Sequence, residues 1–370
     1  MTDPSAEAQR EAIAAAFGRD LDPLAEFAEQ LERVDDDLDP FDLFIEFDLE
    51  TRGLADFTIE DYRRVFDEWR EHMIEENRHP ACPNEEHVRR FIHRLQDKGN
   101  QSNTILKKLA KISGAYEYWQ KDTAFPHPQD YDPIQMAIDS TPLESPEKKE
   151  PPRIPIPELR EVMETVTRIR DRAIIALQLK LGMRCGEVAN IQLPEVHIAN
   201  PELEKHYPEA GSHERLSGRE NAIFIPSRYE RNGNKSRRAR VLPLDDELCR
   251  VLLRYLLIRP TADEPWLFLS KQQHRRLEGG DANRAWKEAF GDRYPETENH
   301  KRVTSHYGRH RFTTYWRVEQ DLNRELIKYM RGDIIGGGPD DEPGAIDTYI
   351  HTYYEDIEPI YREQIFKLGL

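Results

Sequence analysis

The stretch SHYGRHRFTTYW, residues 305–316, sets His306, Arg309 and His310 in the pattern H-x-x-R-H. Three other segments carry side chains of related chemistry. LGMRCGEVANIQL offers Arg184, with Glu187 three residues on and able to orient it. YERNGNKSRRAR offers Lys235 among Arg231, Arg237, Arg238 and Arg240. AIDTYIHTYYEDI offers Tyr349, with His351, Tyr353 and Tyr354 close behind. Two arginines, a lysine and a histidine, without a carboxylate pair or a metal cluster, describe an anionic centre to be bound and neutralised. Guanidinium forks match phosphate oxygens in a bidentate geometry that lysine does not reproduce. Lysine and histidine can move protons, and a phenol becomes a nucleophile when its proton is accepted and its developing charge is stabilised. The chemistry implied is phosphoryl transfer to tyrosine.

Such a set must be positioned by elements far apart in sequence. IRDRAIIALQLKLGMRCGEVANIQL reads as a helix, a turn at Gly182 and a short second helix. AIFIPSR and RARVLPL are β-rich runs joined across Asn232-Gly233, a strong hairpin signal, and EPWLFLS reads as a further strand or edge segment. From about residue 281 the pattern is helical until GGGPDDEPG, a glycine run read as a loop and not as a phosphate cradle, since no helix follows it. Upstream, IEDYRRVFDEWREHM, EEHVRRFIHRL and QSNTILKKLAKISGAYEYW each carry an apolar stripe at helical spacing. The third also groups Lys107, Lys108 and Lys111 on one face, a candidate contact for a DNA backbone. The expected fold is mainly α with one small antiparallel β-sheet. It is divided into an acidic N-terminal arm (1–57), a helical domain (58–125), a Pro-rich extended linker (126–156) and a second domain (157–370). The last segment, EDIEPIYREQIFKLGL, carries an apolar stripe through Ile357, Ile360/Tyr361, Ile365 and Leu368, which suits packing on its own domain or docking on a neighbouring protomer.

The net charge of −17 over 370 residues argues at first sight against nucleic acid as a partner. The distribution changes that, because residues 1–50 hold sixteen Asp and Glu against three Arg, most of the excess. Across the chain 15 Lys stand against 38 Arg and 70 acidic residues. This lysine-poor, acid-rich balance resembles proteins of salt-loving archaea, in which acidity reports the solvent and basic patches are read against that background. No apolar run approaches bilayer length and the N-terminus lacks the order of a signal peptide, so the expectation is a cytoplasmic protein with no membrane partner. Cys82, Cys185 and Cys249 lack the spacing of a zinc site or a disulfide framework. His206 and His213 lie beside carboxylates without helical spacing and are read as loop residues, so no metal is expected.

In this order, ALQLKLGMRCGEVANIQL, NGNKSRRARVLPL, HYGRHRFTTYW and AIDTYIHTYY resemble the arginine box, the hairpin lysine, the H-x-x-R box and the nucleophile segment of the tyrosine recombinase (phage integrase) family, in a haloarchaeal form. The resemblance covers about residues 58–370 and implies that 58–125 is the family's helical core-binding (DNA-clamp) domain and 157–370 its catalytic domain. It implies a DNA recombinase in which Arg184 and Arg309 clamp a scissile phosphate. Tyr349 attacks to leave a 3′-phosphotyrosyl bond and a free 5′-hydroxyl, Lys235 protonates the leaving oxygen, and His306 assists at the nucleophile side. Arg231, Arg237, Arg238 and the three lysines would contact DNA, and a synaptic tetramer on double-stranded DNA would be the working assembly. No cofactor is implied, because the covalent bond conserves the energy of the phosphodiester. His310 is read as catalytic or as a packed supporting residue. One position departs from the family: YMRGD places Asp333 where its members carry His or Trp, an acid beside a phosphate. That favours, as alternatives, a DNA-binding regulator that has lost catalysis, while a type IB-like topoisomerase would share the same residues.

Overall fold

The computed structural model describes residues 6–33, 38–143, 149–333 and 353–370. The chain divides into two compact units, Met1–Lys148 and Lys149–Leu370. Together they are mainly helical with one small sheet.

In the first unit the helices Asp56–Glu75, Glu85–Asp97 and Ser102–Lys121 converge on an aromatic core. Trp69, Phe66, Phe91 and Trp119 are all buried in it. The stripes at 65/66/69, 88/91/92/95 and 105/109/112/116 are the buried faces, as helical periodicity requires.

Two expectations about this region need correction. The acidic N-terminal segment is not a separate arm: Leu24, Phe41, Phe44, Ile45 and Leu49 are buried in the same core as Trp119. Trp119 donates its indole N–H to the Pro40 carbonyl at 3.1 Å, and the Phe41 ring meets it edge-on at 4.8 Å. Asp39 caps the short Pro40–Phe44 helix by accepting from the Phe41 and Asp42 amides. The acids of DPFDLFIEFDLE are thus the outer face of an amphipathic segment. Nor is 126–156 an extended linker throughout. Asp132 caps and Pro133 opens a helix, Pro133–Ser140, whose Ile134 and Ala137 enter the first core, whereas Ile154 is buried in the second unit.

The second unit is built around the helix Ile169–Leu181, in which ten of thirteen residues are buried. Buried on nearly every side, polar residues included, it lies inside the unit, with helices Ser305–Thr314 and Asp246–Ile258 packed against it. Its buried Lys180 is held between Asp245 and Glu247, each at 2.7 Å. The sheet has strand order β1 (Val196–His197), β2 (Ala222–Ile225), β3 (Arg240–Pro243), antiparallel, with Ile223 opposite Leu242 and Ile225 opposite Arg240. EPWLFLS contributes only single bridges, Gln192 to Trp266 and Leu269 to Arg276, and no strand. The final helix, Tyr354–Gln364, and the residues after it pack onto their own unit through Ile357, Tyr361, Ile365, Leu368 and Leu370. Glu247 accepts the amides of Leu368, Gly369 and Leu370.

Candidate active site

Arg184 is placed by the turn that ends the central helix. Gly182 caps that helix with φ 64°, and a Cβ there would lie 2.6 Å from the Phe312 ring, so conformation and packing both require glycine. The chain then enters the short helix Cys185–Asn190, and Glu187 accepts the Arg184 amide at 2.7 Å. Glu187 is fully buried, and Arg240, equally buried, grips both of its oxygens at 3.1 Å. Ser236, next to Lys235 in the hairpin, donates its hydroxyl to the same carboxylate. Burial alone would push the Glu187 carboxyl up. The Arg240 guanidinium, reinforced by Arg309 and Ser236, outweighs it and holds the group down at about 2. One ionised carboxylate therefore ties the arginine turn to the lysine hairpin, and Arg184 donates to the Ser236 oxygen at 2.6 Å.

Arg309 comes from the Ser305–Thr314 helix and is only 3% exposed. Its Nη1 donates to the carbonyls of Gly182 at 2.9 Å and Arg331 at 3.0 Å. Its Nη2 donates to Asp333 Oδ1 at 2.7 Å, and Arg184 Nη2 reaches that same oxygen at 3.2 Å. Arg331 Nε stands 2.8 Å from the other oxygen. Burial, then the nearby Arg184, pulls the Arg309 guanidinium down to about 9, against the opposing pull of Asp333. Three guanidiniums thus surround one carboxylate. His306 lies on the same helix with an exposed ring. Desolvation first, and then His310, Arg309 and Arg184, lower its proton affinity from the ordinary value of 6.5.

Arg184, Arg331 and Asp333 open onto a cavity of about 600 Å³ lined also by Lys235 and Arg237, with Arg317, Arg324 and Lys328 extending its cationic wall. Among its described lining residues Asp333 is the one acid. Among the described residues no group of three or more His, Cys, Asp or Glu could hold a metal ion, and no helix is long and apolar enough to cross a membrane.

Residues 154–332 match the model of the phage integrase family, and residues 41–121 match that of the phage integrase N-terminal SAM-like domain. The chain belongs to the phage integrase family. The solved Tn1549 transposon integrase in complex with a circular intermediate DNA is similar in fold, with a TM-score of 0.54 and 15% identity over 86% of this chain and 96% of that one. So is a lambda integrase tetramer bound to a Holliday junction, with a TM-score of 0.54 and 13% identity over 89% and 87%. A curated protein of Sinorhizobium fredii (strain NBRC 101917 / NGR234), y4rF, whose name carries the integrase/recombinase designation, is 29% identical over 126 residues. That match takes in 32% of this chain and about a quarter, 24%, of the relative's length.

Within this integrase-family chain the structure brings Arg184, Glu187, Lys235, Arg237, Arg309 and Asp333 around one place, with His306 on the Arg309 helix. Tyr349 and His351, like the glycine run, lie outside the described residues. Of the neighbouring tyrosines, Tyr353 is exposed, and Tyr354 is buried beside Phe224 and Val241, where desolvation disfavours its phenolate.

Several cations read as DNA contacts are engaged internally. Arg231 pairs with Glu195 at 2.7 Å and donates to the Asn190 carbonyl at 2.6 Å, fastening the hairpin to the body. Lys108 pairs with Glu68 at 2.6 Å, and Lys111 pairs with Asp61 over the Tyr62 ring. Lys107 and Arg237 are exposed, and Arg238 is half-buried with its amide on the Gly332 carbonyl. His310 is not packed inside: its ring lies at the surface, edge-on to His306 at 4.6 Å. Sequence reasoning missed Ser236 and Arg331. Ser236 adjoins Lys235 and Arg331 lies two residues before Asp333, both residues it had singled out, and that nearness was the available signal.

Proposed function

We propose that this chain is a site-specific DNA recombinase that cuts and rejoins strands through a phosphotyrosine at Tyr349. One observation carries the reading: Arg184 and Arg309, 125 positions apart in sequence, direct a guanidinium N–H to the same oxygen. That is the arrangement a non-bridging phosphate oxygen needs. In the reaction the Tyr349 oxygen attacks the scissile phosphorus as its proton passes to neutral His306. The bond from phosphorus to the 5′ oxygen breaks, and Lys235 gives that oxygen its proton. Glu187 acts indirectly, holding the Arg184 turn and the Lys235 hairpin in register. Reversal by a 5′-hydroxyl from a partner strand completes exchange, and no outside energy source is needed.

DNA would run along the cationic cavity wall, with Arg237 and Arg238 of the hairpin and Lys107 of the first unit as backbone contacts. Lys108, Lys111 and Arg231 drop out because carboxylates already hold them. The DNA complexes of similar fold support a duplex partner, and the lambda tetramer on a Holliday junction supports a tetrameric assembly. The acid-rich, lysine-poor composition supports a cytoplasm of high salt as its setting.

Covalent trapping tests the proposal. Wild-type protein and Tyr349→Phe are incubated with nicked DNA libraries in high potassium salt, denatured, and sequenced through protein-linked ends. A 3′-linked adduct on wild type alone is the expected result. Sequence-specific binding with no adduct would favour the second reading, a silent DNA-binding protein, to which the carboxylate seated between the arginines lends its support.

A further inference from the structure

The Asp333 side chain sits where an anionic substrate should sit. Its Oδ1 takes one N–H from Arg309 at 2.7 Å and one from Arg184 at 3.2 Å, and its Oδ2 lies 2.8 Å from Arg331. The position is fixed by backbone as well as by charge. Gly332 ends the Arg324–Arg331 helix at φ 69°, and the Asp333 amide closes the turn on the Lys328 carbonyl at 3.0 Å. A Cβ at Gly332 would stand 2.5 Å from the Arg240 guanidinium, so the turn is wedged between the hairpin and the Arg309 helix. The carboxylate is about a quarter exposed, at 27%, and faces the cavity, so an incoming anion can reach it.

We infer that Asp333 is a positioning residue and a resident stand-in for the substrate phosphate, which the DNA backbone must displace from Arg184 and Arg309. This rests on the reading of the site as a phosphate clamp. Buried and half-buried guanidiniums repel one another unless an anion lies between them. With Asp333 in place they are held converged while no DNA is bound. The same carboxylate excludes a second anion from its oxygen position, since two negative charges would then share one pair of donors. A small free anion has only that position to gain. A phosphodiester within a duplex also gains Lys235, Arg237 and the further cations of the cavity wall. Asp333 therefore selects polymeric phosphate over inorganic phosphate or sulfate, a discrimination suited to a site that works amid abundant salt.

The test is saturable sulfate binding to the full chain, read by thermal unfolding at constant ionic strength, for wild type, Asp333→Asn and Asp333→Glu. Wild type and Asp333→Glu should show no saturable shift in the millimolar range. Asp333→Asn should melt lower without sulfate and bind it at least about tenfold more tightly, as loss of a like charge in contact with the ligand requires. An Asp333→Asn chain that folds only when sulfate is added gives the same answer; one that stays unfolded in sulfate overturns the inference. Wild-type binding in the sub-millimolar range, or equal affinity in wild type and Asp333→Asn, also overturns it. Sulfate binding does not depend on strand cutting. Tighter binding by Asp333→Asn without any wild-type DNA adduct would leave this inference standing and remove the recombinase reading. An adduct with unchanged sulfate affinity would do the reverse.

Discussion

Glu187 does more for this site than its place in the sequence suggests. It is the carboxylate on which the Arg184 amide, the Ser236 hydroxyl and the Arg240 fork all close. Glu187→Gln would leave the buried Arg240 guanidinium without its counter-charge, which typically costs ~3–5 kcal/mol. Urea unfolding followed in the second unit should show a loss of that order. Replacing both partners, Glu187→Leu with Arg240→Met, should recover much of it, because neither buried charge is then left alone. The pH dependence has a definite sign. A carboxyl lowered from 4.5 to about 2 on folding contributes stability that is complete above 4.5 and lost as pH falls through about 2. The Gln variant should lack that acid limb.

At the scale of elements, the turn at Gly182 aims the arginine. Gly182→Ala places a methyl against Phe312 in a left-handed backbone, and the loss should exceed ~1 kcal/mol. Thermal unfolding measures that loss. Strand cleavage by the same variant should fall further than the loss of folded protein explains, since Arg184 follows two residues later. This turn was readable in advance, because a glycine between two helical patterns has few other uses. The hairpin was readable for the same reason, through Asn232-Gly233. The Pro40–Phe44 and Pro133–Ser140 helices were not read, although Asp-Pro at positions 39–40 and 132–133 is a sound helix-start signal. In both places composition, acidic in one and proline-rich in the other, drew attention away from the apolar residues behind the cap.

Over the whole molecule, the excess of acid is spent partly on the protein's own cations. Glu68 alone engages Lys98 and Lys108, so a lysine face drawn from helical periodicity overstates what is left for DNA. Which cations stay exposed depends on carboxylates dozens of residues away, and spacing along one helix carries no information about them. Three of the local motifs bring Arg184, Lys235 and Arg309 to one region, a convergence that needed the fold, whereas the Tyr349 segment lies outside the described residues. The first unit has its own vulnerability. His72, His79, His87 and His127 are all lowered from 6.5, chiefly by burial. Each binds its proton more readily in the unfolded chain, so stability should fall as pH drops through 6.5 and rise again on return. Denaturant unfolding of this unit at pH 7.5 and 5.5 should show a lower midpoint at the acid value.

The burial of the tryptophans makes such measurements separable. Trp69 and Trp119 sit in the first core, and Trp286 and Trp316 in the second, all fully enclosed. Each core therefore carries its own pair of indole fluorophores. Replacing Trp69 and Trp119 with phenylalanine would silence the first unit, so that emission from the second, which also holds Trp266, reports that half alone as it melts, refolds or meets DNA.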